Sequence, residues 1–163
     1  MIERTLILIK PDGVERGLIG KIISRFEDPG FKIIAMKMVL VDKEFAKKDY
    51  TADLAQRRGE NVRKIMVDFI TQSPVVALVL EGINTIENIR KIVGPTEPKS
   101  AQPGTIRGDF SHISYSYADN KKIAVKNIIH ASSSKEDAER EIKLWFKKDE
   151  IYNYSSVHEK HLR

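Results

Sequence analysis

The sequence predicts an α+β chain, a split βαβ sandwich in which a mainly antiparallel four-stranded sheet carries helices on one face. Three observations lead there. Short apolar runs, Thr5 to Lys10 and the VVALVLEG stretch after Pro74, have the length and β-branched content of buried strands. Between them lie segments with apolar residues at helical spacing, such as Leu18, Ile19, Ile22, Ile23 and Phe26. Proline and glycine punctuate the joins at Pro11 with Gly13, Pro29 with Gly30, and Gly94.

In order, TLILIK reads as a strand with Lys10 at its carboxyl end, stopped by Pro11, Asp12 and Gly13. The helix holding Phe26 follows, and Phe31 to Val41 is a β-rich second strand. The polar stretch from Asp42 to Gly59 carries Phe45 and Tyr50 into a helix pair ending near Gln72. After the VVALVLEG strand, Asn84 with Glu87 is a candidate cap for a helix that includes Ile86, Ile89, Arg90 and Val93. Pro95 to Phe110, with three prolines and Arg107 near its end, reads as an irregular, ordered loop. Ile113, Tyr115 and Tyr117 alternate against Ile123 and Val125 across Ala118, Asp119 and Asn120, which predicts a β-hairpin within 111–126. A β-branched run, a short loop with His130, an amphipathic helix and a polar tail at about 151–163 complete a chain expected to form one domain.

Composition narrows the classes. At 163 residues the chain is long enough to bury roughly 68 to 70% of its unfolded surface without staples. The absence of cysteine excludes disulfides, thiolate metal sites and cysteine nucleophiles, and makes a reducing cytoplasm the expected home. No stretch approaches the roughly 20 apolar residues of a membrane span, and the start lacks a secretory leader. A net charge of +5, with 28 basic residues interspersed among 23 acidic ones, favours anionic partners without selecting one. No basic run with interleaved aromatics supports nucleic-acid binding.

The informative stretch is Asn127 to Phe146, NIIHASSSKEDAEREIKLWF. Ala138, Ile142 and Trp145 mark the apolar stripe of its helix, and among them stands Glu141. A carboxylate bordering a buried stripe must find a partner or lose its charge, and the His130 imidazole is a candidate partner. Ser133 followed by Glu136 reads as a capping box, and free N–H groups at that helix start could hold an anion near the histidine. These residues suit a nucleophilic imidazole oriented by a carboxylate; taken alone, they suit better still a structural histidine in a strand-to-helix turn with a surface glutamate.

TLILIKPDGVERGLIG, SPVVALVLEG, QPGTIRGDF and NIIHASSS followed by EREIKLWF occur in this order over nearly the whole chain. Together they closely resemble the nucleoside diphosphate kinase family. The resemblance implies a ferredoxin-like fold, a homohexamer or tetramer, and Mg²⁺-dependent ping-pong transfer of the γ-phosphoryl group of ATP and other nucleoside triphosphates to diphosphates. It implies that His130 is phosphorylated on Nδ1, with Glu141 on the other ring nitrogen and Ser132 beside that pair. Lys10 and Asn127 match ribose-binding residues, Lys10 also lying near the transferred phosphate. Tyr50 matches the tyrosine beside the histidine, and Arg90, Thr96 and Arg107 match phosphate-binding groups. Mg²⁺ is expected to arrive with the nucleotide, since no carboxylate cluster stands out as its ligand.

Two positions depart from the family pattern. Ser133 stands where aspartate is usual, and Val62 stands where an aromatic usually stacks on the base. The hairpin is an expansion of about ten residues that could reach over a neighbouring subunit or over its own nucleotide site. Two other functions compete with the kinase: a weakened assembly or nucleic-acid-binding protein, and a phosphocarrier passing phosphate to a protein. The retained Lys10, Arg107, Asn127, His130 and Glu141 argue against the first, and the nucleotide contacts would be unexplained by the second.

Overall fold

The computed structural model describes residues 1–50 and 52–162; Thr51 and Arg163, within the predicted helix pair and tail, lie outside the described residues. Strand β1 (Ile2–Ile9) is followed by α1 (Pro11–Glu15), α2 (Ile19–Glu27) and β2 (Lys32–Val39). Helices α3 (Lys43–Asp49), α4 (Ala52–Arg58) and α5 (Glu60–Ile70) lead into β3 (Val75–Ile83) and α6 (Thr85–Val93). Then come α7 (Ile106–Phe110), α8 (Tyr115–Lys121), β4 (Ile129–Ala131), α9 (Lys135–Trp145) and α10 (Glu159–Leu162). The sheet order is β2-β3-β1-β4 with antiparallel pairing throughout, as expected of the ferredoxin-like sandwich.

Helices cover both faces of the sheet, not one. Ile7 and Ile9 of β1 with Val76, Leu78 and Leu80 of β3 pack against Ile22 and Phe26 of α2 and Ile89 and Val93 of α6. On the other face Leu6, Leu8, Ala77 and Val79 meet Ala46 of α3, Val67 and Ile70 of α5, and Trp145 of α9. This is why Leu6 to Ile9 are apolar at every position where a sheet wetted on one side would alternate. Leu8 pairs with His130 across β1 and β4. Cross-strand partners share a face, so the imidazole emerges on the side of α9.

Several local expectations are corrected. The segment predicted as a hairpin forms α8: the Ser114 hydroxyl accepts from Tyr117 N at 3.2 Å, and Lys122 closes the helix at φ 53°. Ala118 is buried while Tyr117 faces out, a helical division that the alternation of tyrosines concealed. Arg107 lies within α7, whose cap is Thr105. His130 sits on β4 and not in a loop. At α9 the capping hydroxyl is that of Ser134, accepting from Asp137 N at 3.1 Å, while Ser133 donates to the Asp137 carboxylate. Asn84 adopts φ 46° without capping α6; Glu3 of β1 instead accepts from Ile86 N at 3.3 Å.

The polar tail is pinned to the sheet. Tyr152 N donates to Ile34 O at 2.8 Å and the Tyr154 hydroxyl to Ile33 O at 2.7 Å. Lys32, buried on β2, reaches Tyr154 O at 2.8 Å, Glu81 at 2.9 Å and Glu159 at 3.1 Å. Leu80, fully buried at the centre of one core layer, provides a test of the packing. Leu80→Ala is expected to cost about 2 to 5 kcal/mol in denaturant unfolding; a cost below 1 kcal/mol would contradict this packing.

Candidate active site

Lys10 leaves the end of β1 where Pro11 stops the strand and starts α1. Its ammonium, 5% exposed, donates to Asn127 Oδ1 at 2.8 Å, and Asn127 Nδ2 donates to Thr96 O at 2.8 Å. Burial first, and then the charge of Arg107, bring Lys10 down to about 8, against opposing pulls from Asp12 and Asp49.

The backbone after Asn127 makes an unusual turn. Ile128, β-branched and fully buried, has φ 73°, and Ile129 N donates to Asn127 O at 2.8 Å across it. An i to i+2 bond about a residue at this φ is the strained form of γ-turn, which costs on the order of 1 to 3 kcal/mol and persists only where its surroundings enforce it. The enforcement is visible. Ile128 N donates to Asp12 Oδ2 at 2.9 Å, Lys10 N donates to Ile128 O at 2.8 Å, and Arg107 Nε and Nη2 donate to the carbonyls of Asn127 and Ile129 at 3.3 and 2.6 Å.

Arg107 also binds Gly94 O through Nη1 at 2.9 Å. Of its five N–H groups, this leaves one on each Nη for an anion. Burial and the charge of Arg90 lower its pKa to about 10, which leaves it cationic at neutral pH.

His130 Nε2 and Glu141 Oε2 are 2.9 Å apart, with the histidine side chain 33% and the glutamate 7% exposed. Ser132 donates to the same carboxylate oxygen at 2.7 Å and accepts from Leu6 N at 3.1 Å, while Arg140 reaches Oε1 at 3.4 Å. Burial opposes ionisation of Glu141, yet the hydrogen bond and charge of His130 and the Ser132 hydroxyl outweigh it and hold the carboxyl below the ordinary glutamate range. A carboxylate accepting the Nε2 proton leaves the Nδ1 lone pair available as a nucleophile.

A cavity of about 1130 Å³ unites these groups. Lys10, Tyr50, Val62, Arg90, Thr96, Arg107, Asn127, His130 and Glu141 all line it, while Ser132 lies buried behind Glu141. Burial pushes the Tyr50 phenol well above its usual range. The anion site expected at the start of α9 is taken by that helix's own acids, Glu136 and Asp137. The cavity's cations are supplied instead by Lys10, Arg90, Arg107 and their neighbours.

Sequence reasoning missed four contributors. Asp12 was read only as part of a turn. Asp49, in the cavity wall, accepts from Trp145 Nε1 at 2.9 Å, and burial raises its pKa. Tyr115 and Arg58 bring α8 and α4 together over the same cavity, the guanidinium lying 4.8 Å from the ring centroid. The expansion before the histidine motif therefore reaches over the chain's own cavity. Only the DG following a strand end was a local signal for any of these. The others depend on contacts between distant segments.

Comparison with known proteins gives matches over most of the chain. A family model described as nucleoside diphosphate kinase matches residues 3–151. The nucleoside diphosphate kinase of Borreliella burgdorferi is 50% identical over 155 residues, 94% of this chain and 93% of that protein. That of Pyrococcus abyssi is 53% identical over 152 residues, 93% of this chain and 89% of that protein. A solved structure of the Borrelia burgdorferi enzyme, a transition-state mimic with bound vanadate and ADP, superposes with a TM-score of 0.96 at 49% identity, covering 99% of this chain and 96% of that one.

The buried lysine gives a pH test of the geometry. A lysine whose folded pKa of about 8 lies below its unfolded 10.5 binds fewer protons when folded, so its contribution to stability rises with pH between those values. Wild-type unfolding free energy is expected to gain on that of Lys10→Met between pH 8 and 10.5; parallel profiles would show that Lys10 is not desolvated.

Proposed function

The chain belongs to the nucleoside diphosphate kinase family and transfers a phosphoryl group between nucleoside tri- and diphosphates, and from this premise we propose that His130 carries that group. The observation that bears most weight is the 2.9 Å contact between His130 Nε2 and the buried Glu141 carboxylate, on the wall of a cavity that also holds Lys10 and Arg107. In the first half-reaction the Nδ1 lone pair attacks the γ-phosphorus. The N–P bond forms as the bond to the β,γ-bridging oxygen breaks, and the diphosphate leaves with that electron pair. Glu141 stabilises the positive charge that the ring acquires, held in place by Ser132. In the second half-reaction a terminal oxygen of another nucleoside diphosphate attacks the same phosphorus and the imidazole is released neutral.

Such a reaction needs in-line placement and charge compensation more than proton transfer. Arg107 and Arg90 hold the phosphates with Thr96, and Lys10 and Asn127 hold the ribose hydroxyls, with Lys10 close to the migrating group. Tyr50 packs beside the histidine. Val62 forms the wall against the base, an aliphatic surface in place of an aromatic one. Mg²⁺ would be held by the nucleotide's own phosphates, not by a carboxylate site of this chain, and would supply charge neutralisation beside Lys10, Arg90 and Arg107. In support of a polyphosphate substrate, Lys10, Arg90 and Arg107 line the cavity together and supply this chain's own positive charge there.

The proposal extends to the whole chain as one domain working in the cytoplasm; among the described residues no helix is long and apolar enough to cross a membrane. It also extends to assembly as a homohexamer, with a tetramer as the alternative. β2 is an edge strand of the sheet, and Met36, Met38 and Leu40 on and beyond it are 57, 57 and 61% exposed, an apolar strip suited to burial between copies. Light scattering is expected to give six times the mass of the chain; a monomer would refute the assembly.

The chemistry is tested by incubating the protein with γ-labelled ATP and Mg²⁺ and chasing with GDP. Acid-labile label should appear on His130, discharge into GTP, and be absent from His130→Ala. Glu141→Gln should slow labelling by about 10² to 10³. Label that never forms would exclude the histidine carrier; label that GDP cannot remove would point to a protein acceptor.

A further inference from the structure

We propose that Asp12 is a positioning residue for phosphoryl transfer, its carboxylate holding the Ile128 amide and thereby the turn that aims both Asn127 and His130 into one cavity. The inference rests on His130 as the phosphoryl carrier. Asp12 is 6% exposed and follows β1 on the short helix α1. Its Oδ2 accepts from Ile128 N at 2.9 Å, while Oδ1 is buried without a protein partner among the described residues. A buried carboxylate carries a desolvation cost that its hydrogen bonds must offset, and ordinary packing at the end of a strand does not call for one. Burial raises its pKa, against the pull of the Lys10 charge.

What the carboxylate does is geometric. Ile128 is held at φ 73°, a conformation that a β-branched residue avoids. Its amide points back toward α1, where Asp12 is the acceptor that meets it. Lys10 N, two residues earlier, binds the carbonyl of the same residue at 2.8 Å. The end of β1 thus grips both polar groups of Ile128. Next after Asp12 comes Gly13, where an added Cβ would lie 2.8 Å from Ile9 Cγ2 and 3.2 Å from Ile128 O, so α1 can approach only because this position has no side chain. On one side of the gripped residue Asn127 turns its amide to Lys10 and Thr96; on the other, Ile129 enters β4 and His130 reaches Glu141. Without an acceptor for its amide, Ile128 would lose a reason to stay at positive φ. A change there rotates the side chains of Asn127 and His130 relative to each other.

The test compares full-length wild type, Asp12→Asn and Asp12→Leu in single-turnover labelling by γ-labelled ATP at saturating nucleotide, with thermal midpoints measured in parallel. Asparagine keeps an oxygen that accepts from Ile128 N and removes the charge; leucine keeps the volume and removes the acceptor. The leucine variant is expected to label about 10²-fold more slowly at a temperature where it is fully folded, the scale of loss for an ångström of misplacement, with asparagine within about fivefold of wild type. Labelling of the leucine variant at the wild-type rate would overturn the proposal by making Asp12 a stability residue only. An asparagine variant that is folded yet as slow as leucine would overturn it by assigning the effect to charge beside Lys10 and Arg107. Should the leucine protein not fold, Asp12→Ala, which also removes the acceptor, is labelled in its place, with slowing expected and a wild-type rate overturning the proposal. Failure of wild type to label would strike the carrier reading instead.

Discussion

The active site depends on one strained residue. Ile128 sits at φ 73° with its amide, its carbonyl and the carbonyls on either side all bound by groups from the junction of β1 with α1 and from α7. Strain of this kind is unstable in isolation and defined only where several partners agree. Here the partners are the functional segments themselves. Lys10 contributes its backbone to the turn and its ammonium to the cavity, and Arg107 contributes three donors to backbone carbonyls while two of its N–H groups remain for an anion. Catalytic groups placed in this way need little reorganisation when substrate arrives, which is where electrostatic catalysis draws most of its advantage.

The distribution of charge follows from the same economy. Lys10, Arg107 and Glu141 are each less than a tenth exposed, a costly state unless hydrogen bonds replace water. Asn127 and backbone carbonyls perform that replacement for the cations, and His130 with Ser132 performs it for the glutamate. The cations suit an anionic ligand, and the glutamate would suit a ring that becomes positive if phosphorylated as proposed. The lysine's lowered pKa is the physical trace of a cation positioned in advance of its anion, since a bound phosphate would raise it again.

Local pattern carried the fold far. Length and β-branching located β1, β2 and β3, and helical spacing located α2, α6 and α9. Pattern failed where two periodicities fitted one short segment. Tyr115 and Tyr117 alternate as a strand would, but Ser114 offers a cap and Ala118 packs inward, so α8 forms. It failed again where a cap came from elsewhere in the chain, as Glu3 does for α6, and where a polar tail became ordered through backbone bonds to Ile33 and Ile34 that leave no mark in composition.

By itself the sequence determined the family, and through that resemblance it named Lys10, Tyr50, Val62, Arg90, Thr96, Arg107, Asn127, His130 and Glu141, which the structure brings to one cavity. The motifs that carry these are contiguous, and a carboxylate set among buried apolar residues announces its need for a partner. Only the tertiary structure decided that both faces of the sheet are covered, that α8 and α4 meet over the cavity, and that Asp12 holds the turn between Asn127 and His130. Each of these is a contact between segments far apart in the chain. Its energy comes from burial and hydrogen bonding across that gap, and neighbouring residues carry no record of it.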